Sequence, residues 1–159
     1  MIDLSDFNHI TQPELCYDDN MGITAALREA QHSTHTTQVG ASVVGVSAFN
    51  SPVDCGGDRY HAESLSIMKC ARSGVETYGA TMYCTWASCP ECAADIVAAG
   101  ISRVVVPVQV MNKTYGKYLT SVEQGLDLLH RHQVRVDVVD TDEGYFGYDI
   151  RMDGKVVKV

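Results

Sequence analysis

Cys89 and Cys92 stand three positions apart in TWASCPECAADI, and His61 and Glu63 stand two apart in HAES, with His61 28 positions upstream of Cys89. Two thiols at this spacing alone admit a disulfide, a redox pair, a metal site or plain packing. Pro90 and the apolar run that follows put both cysteines at a helix start, where residues three apart share one side. The partial positive charge of a helix N-terminus stabilises thiolates, the form that binds metal. A nitrogen from His61 makes three ligands and leaves one position of a tetrahedral zinc open, as a catalytic site requires. Such a zinc lowers the pKa of a bound water from about 16 to about 7. Glu63, two residues after a ligand, is placed to take that water's proton without binding the metal and to return it to a ring nitrogen and a leaving amine. These parts suit hydrolytic deamination.

The elements that must hold these residues follow from periodicity. Residues 20–33 read as a helix with Asn20 as its cap, and the valine-rich stretch 37–50 as a strand turning into a second. The Pro, Asp and Gly of residues 51–60 make a loop. After it, Leu65, Met68 and Ala71 recur at helical spacing, ending near Gly74. Residues 80–86 form a short strand feeding the cysteine helix 89–100. Residues 101–110 make a buried strand with Pro107 near its end. The segment 121–132 reads as a helix, 134–140 as a strand, and the C-terminus as a hairpin turning at Asp153-Gly154. Strands alternating with helices predict an α/β sandwich with part of its sheet parallel.

At 159 residues the chain is expected to form one domain spanning 1–159, with 1–19 loosely packed and 141–159 a C-terminal hairpin or tail. The apolar runs are too short to span a bilayer, and MIDLSDFNHI has neither the basic start nor the apolar core of a signal peptide. The expectation is therefore a cytoplasmic protein, with no membrane partner. A formal charge of −8 with no Lys/Arg run argues against a polynucleotide substrate, because phosphate neutralisation carries that kind of binding. Six cysteines in a cytoplasmic setting favour thiols or metal ligands over a disulfide framework.

H-x-E…P-C-x-x-C is the signature of zinc nucleobase deaminases, and HAE followed by SCPEC fits it except that Ser88 replaces the proline. With REAQHSTHTTQVGASVV, FNSP and GATMYCT…CPECAADIVAAGISRVVV, the chain resembles the cytidine/deoxycytidylate deaminase superfamily, and within it the phage-type deoxycytidylate (dCMP) deaminases. The resemblance spans roughly residues 21–140. It implies a three-layer α/β/α sandwich with a mixed five-stranded sheet, Zn2+ held by His61, Cys89 and Cys92, and Glu63 as proton shuttle. It matches Asn50 to a sugar contact and the backbone at Ala62 and Ser88 to the part of the pocket that meets the base. The activity it implies is deamination of dCMP to dUMP and ammonia, in the host cytoplasm if phage-encoded, by a homo-oligomer. The segment between Asn50 and His61 is short for the family, which argues against regulation by dCTP and dTTP.

Other readings stand beside this one. Trp86 occupies a position where polynucleotide deaminases carry tryptophan; here it reads as a packed pocket wall. Cys16, Cys70 and Cys84 lack partner spacing and read as core thiols. Cys55 is the weaker candidate for a second zinc. His32 and His35 read as surface residues, with phosphate contact the lesser reading; Arg59, Lys113, Tyr115 and Lys117 are phosphate candidates by position alone. The rival functions are deamination of dCTP, free cytidine or cytosine in single-stranded nucleic acid, a structural zinc protein, and a dithiol oxidoreductase using Cys89 and Cys92.

Overall fold

Short strands rich in valine line up as one sheet, and amphipathic helices cover its two faces. The computed structural model describes residues 2–52 and 59–159; Cys55 and the rest of 53–58 lie outside the described residues. In chain order the elements are β1 (Asn8–Thr11), α1 (Tyr17–Ala30), β2 (Gly40–Val43), β3 (Val46–Phe49), α2 (Ala62–Arg72), β4 (Thr81–Cys84) and α3 (Pro90–Ala98). They continue with β5 (Arg103–Pro107), the single turn α4 (Val108–Met111), α5 (Leu119–Arg131), β6 (Arg135–Asp140) and a hairpin of β7 (Asp149–Met152) and β8 (Lys155–Lys158).

The sheet runs β1-β6-β5-β4-β2-β3. The first four strands are mutually parallel, whereas β2 is antiparallel to both of its neighbours. This is the expected mixed sandwich with one strand more than the five anticipated. The additional strand is β1, in the segment read as loosely packed: Asn8 to Thr11 pair with Asp137 to Asp140, and His9 Nε2 lies 2.9 Å from the Leu4 carbonyl oxygen. Nothing in NHIT alternates strongly enough to announce a strand; the open edge of β6 supplies the pairing.

Two other boundaries differ from the sequence reading. The first helix starts at Tyr17, capped by Cys16, whose sulfur accepts from the Asp19 N–H at 3.5 Å, rather than at Asn20. Asp18 and Asp19 in the first turn favour that earlier start. Cys16 is consequently exposed, not a core thiol, whereas Cys70 and Cys84 are buried. The strand expected to reach residue 110 stops at Pro107, which caps α4.

α1 lies on the face that carries Tyr83, Arg103 and Asp137. Arg103 grips Asp19 with two bonds of 2.6 and 2.9 Å and donates to Asp137 at 2.7 Å, while the Tyr83 hydroxyl donates to Asp19 at 3.0 Å. Burial alone would raise the Asp19 carboxyl, but Arg103 and Tyr83 outweigh it and hold it below the usual carboxylate range. Gly40 lets β2 pass so close to this helix that a Cβ would overlap the Ala26 carbonyl oxygen. On the opposite face α3 packs against both α2 and α5, and Met82, Cys84, Val104, Ala93, Ile96 and Leu129 form the core there. Among the described residues no helix is long and apolar enough to cross a membrane.

Candidate metal centre and pocket

Two helix starts meet on this side of the sheet. His61 is the extended residue before α2 and Cys89 the extended residue before α3, with Pro90 opening the helix and Cys92 in its first turn. His61 Nδ1 lies 3.2 Å from Cys92 Sγ and 3.4 Å from Cys89 Sγ, and all three donors fall within 4.8 Å of one another. Zinc bonds of about 2.0 Å to nitrogen and 2.3 Å to sulfur at a tetrahedral angle separate such donors by roughly 3.5 Å. The donor set therefore fits zinc in number, softness and spacing, and Zn2+ is the cofactor it suits.

The electrostatics favour thiolate at Cys89. The bond with Cys92 draws the Cys89 thiol down to about 4, opposed by burial and reinforced by His61, and the same bond pushes Cys92 up. Bonding to Cys89 raises His61 to about 9. Ser64 links the two helices behind the donors: its hydroxyl donates to Asp95 at 2.5 Å and its oxygen stands 3.4 Å from Cys92 Sγ. Partners of this kind fix ligand orientation, and their loss typically costs about 10- to 100-fold in metal affinity. Ser64→Ala should weaken zinc binding by roughly that factor, measured by competition with a chromophoric chelator; unchanged affinity would remove Ser64 from this role.

His61 and Cys89 open onto a cavity of about 280 Å³. Glu63, in the first turn of α2, lines it while only 4% exposed, and burial raises its carboxyl above the usual range. Ala62 lies at the same helix start and lines the pocket too. Asn50 also faces the cavity, yet much of its amide is already used: Nδ2 donates to the Thr37 carbonyl at 2.8 Å and Oδ1 accepts from the Val39 N–H at 2.9 Å. One N–H and one lone pair remain.

Trp86 forms a wall. It is buried, its indole N–H donates to Thr114 Oγ1 at 2.8 Å, and the Tyr118 ring meets it edge-on at 5.0 Å. With its polar edge satisfied, the indole offers the cavity shape alone. Ala87, not Ser88, lines the wall beside it. Ser88 is buried; its hydroxyl stands near enough to favour the Glu63 carboxylate but lacks hydrogen-bond geometry with any described residue. Its carbonyl faces α5, where Gly125 permits contact that a Cβ would block. Tyr115 is not among the lining residues; its ring lies 5.7 Å from Lys155 Nζ.

Alanine at an exposed helix interior gains about 1 kcal/mol over glycine. At Gly125 the displaced neighbours are the backbone of Ser88 and Cys89, which cannot swing aside. Gly125→Ala should therefore destabilise the fold, by about 1–3 kcal/mol, since overpacking outweighs propensity, and it should loosen zinc. Thermal unfolding with and without zinc measures both; a raised midpoint would show that the helix simply shifts.

Sequence reasoning missed Thr37, Tyr118, Ser121 and Val122, all of which line the cavity. Tyr118, Ser121, Val122 and Gly125 recur at i, i+3, i+4 and i+7, the spacing of one helix face. That small and polar stripe was the available signal.

Residues 17–108, more than half the chain, match the family described as the cytidine and deoxycytidylate deaminase zinc-binding region. The deoxycytidylate deaminase of enterobacteria phage T4 is 47% identical over 45 residues, covering 28% of this chain and 23% of that protein. ComE operon protein 2 of Bacillus subtilis is 31% identical over 83 residues, covering 52% of this chain and 39% of that one. The matched segments thus span well under half of these relatives. In fold, the chain resembles the dCMP deaminase of cyanophage S-TIM5, solved with dCMP and dUMP. The TM-score is 0.61 at 24% identity, covering 73% of this chain and 92% of that one. With its two helix starts converging on a nitrogen and two sulfurs, the chain belongs to the cytidine and deoxycytidylate deaminase zinc-binding family.

Proposed function

We propose that this chain is a zinc-dependent hydrolase converting dCMP to dUMP and ammonia, and so supplying dUMP for thymidylate synthesis. The observation that carries the reading is Glu63: a carboxyl buried beside the His61, Cys89 and Cys92 donors, in the first turn after a ligand, facing a cavity. Zinc, when bound, supplies a water activated for attack near neutral pH. Glu63 takes the proton that water sheds and delivers it to ring N3, then relays a second proton to the leaving amine at C4. Burial raises the affinity of Glu63 for a proton, which suits a group that must both accept and return one. Water adds, ammonia leaves, and cytosine becomes uracil. Trp86 and Val122 close the cavity with apolar surface, while Asn50 offers its remaining N–H to a sugar hydroxyl.

A single pyrimidine nucleotide agrees with the small cavity and with the −8 charge, which repels a polyanion. The phage relatives share this assignment by name. Homo-oligomeric assembly belongs to the same reading, and the short segment between Asn50 and His61 argues against control by dCTP or dTTP. The test is ammonia release from cytidine, deoxycytidine, dCMP, dCTP and single-stranded DNA, with dCMP expected to give the highest kcat/KM. Preference for another member of the panel overturns the substrate; release from none overturns the activity.

A further inference from the structure

The structure separates the two histidines that the sequence leaves alike. His32 is exposed, and its ring packs 5.8 Å from that of Phe49, away from the cavity. His35 lines the cavity. The Thr37 backbone N–H donates to His35 Nδ1 at 3.1 Å. Nδ1 also lies 3.1 Å from the Thr37 carbonyl oxygen, but that oxygen already accepts from Asn50 Nδ2, whereas the Thr37 N–H has no other acceptor among the described residues. The neutral ring that leaves neither group unpaired holds its own proton on Nε2. Nε2, on the far edge of the ring from its own loop, has no hydrogen-bond partner among the described residues.

This donor is held in place from several directions. The Thr37 carbonyl accepts from Asn50, and Thr37 Oγ1 accepts from the Asp153 N–H at 3.0 Å in the β7–β8 turn. The neighbouring Gly154 N–H donates to the Thr36 carbonyl at 2.8 Å, and the His35 N–H donates to Ser33 Oγ at 3.3 Å. The terminal hairpin thus clamps the loop that presents His35, and a fixed donor loses little freedom when it meets a ligand.

Among the described residues the lining contains no lysine or arginine, but cations flank it: Lys117 Nζ lies 4.8 Å from the Tyr118 ring centre and Arg59 Nη1 3.5 Å from the Asn50 carbonyl. With the base at Glu63 and the sugar at Asn50, the remaining fixed donor serves what lies beyond the sugar. We propose that His35 Nε2–H donates to a phosphate oxygen of the substrate and thereby distinguishes a nucleotide from a nucleoside. This rests on the reading of the cavity as a pyrimidine-nucleotide site.

The test is calorimetric binding of dUMP and of deoxyuridine to the zinc-loaded protein. Wild type should bind dUMP more tightly. His35→Asn keeps an acceptor for the Thr37 N–H but cannot reach outward with a donor. It should cut the dUMP-to-deoxyuridine affinity ratio by roughly 10- to 100-fold, the worth of a hydrogen bond to a charged group. His35→Gln, whose amide N–H falls near the Nε2 position, should restore most of the ratio. An unchanged ratio in His35→Asn, or no preference for dUMP in wild type, overturns the contact. Failure to deaminate dCMP would instead sink the activity, because the binding ratio still judges His35.

Discussion

Glu63→Ala should release ammonia from dCMP at least a hundredfold more slowly than wild type while retaining one zinc per chain. General acid–base catalysis contributes about 10²- to 10⁴-fold, and here a single carboxyl is assigned both proton transfers. That range corresponds to about 3–5 kcal/mol of barrier. Zinc is retained because the three donors belong to His61, Cys89 and Cys92, and Glu63 is not among them. Glu63→Gln is the companion variant, preserving volume in a buried position while removing the exchangeable proton. It should fold as wild type and be equally slow. Turnover within a few-fold of wild type in either variant would take Glu63 out of the mechanism; loss of zinc in both would make it a ligand instead.

Cys89→Ala should purify with little or no zinc and no turnover. Metal and fold are linked in sites built this way, where binding contributes about 10 kcal/mol or more when ligands are complete. One of three protein ligands is a large share of that. Cys89 is a cleaner target than Cys92, whose sulfur is buried and whose truncation would also leave a void. The wild-type protein stripped by chelator should regain activity on adding zinc, whereas Cys89→Ala should not. Reduced solubility is expected in the variant, because the starts of α2 and α3 are joined through these donors. Stoichiometric zinc by metal analysis in Cys89→Ala would overturn the ligand assignment.

The donor triad was legible because its signals are local. Pro90 sets a helix start, three-residue spacing sets a shared side, and HAE repeats the logic on a second helix. The alternation of strands and helices was legible for the same reason, as was the Asp153-Gly154 turn, where both residues hold positive φ. What escaped depends on partners distant in sequence. β1 exists because β6 offers an edge 129 positions away at Asn8↔Asp137. Trp86 could be flagged by type, but only the fold shows that Thr114 consumes its N–H. Asn50 could be matched to a sugar contact, yet its bonds to Thr37 and Val39 appear only once β2 and β3 fold back on each other. The family resemblance matched the Ser88 backbone to the pocket; the crossing of α5 turns its carbonyl to Gly125.

That crossing also bears on how such proteins can recombine. The family match ends at residue 108, so residues 17–108 look like an exchangeable cassette. Their packing reaches beyond that boundary, because the backbone of Ser88 and Cys89 rests on position 125, outside the matched region. A chimera joining this cassette to another relative's C-terminal part would need a residue without a side chain where α5 passes the Ser88 carbonyl. The apparent module boundary is therefore a boundary of sequence similarity, and the mechanical unit extends through α5.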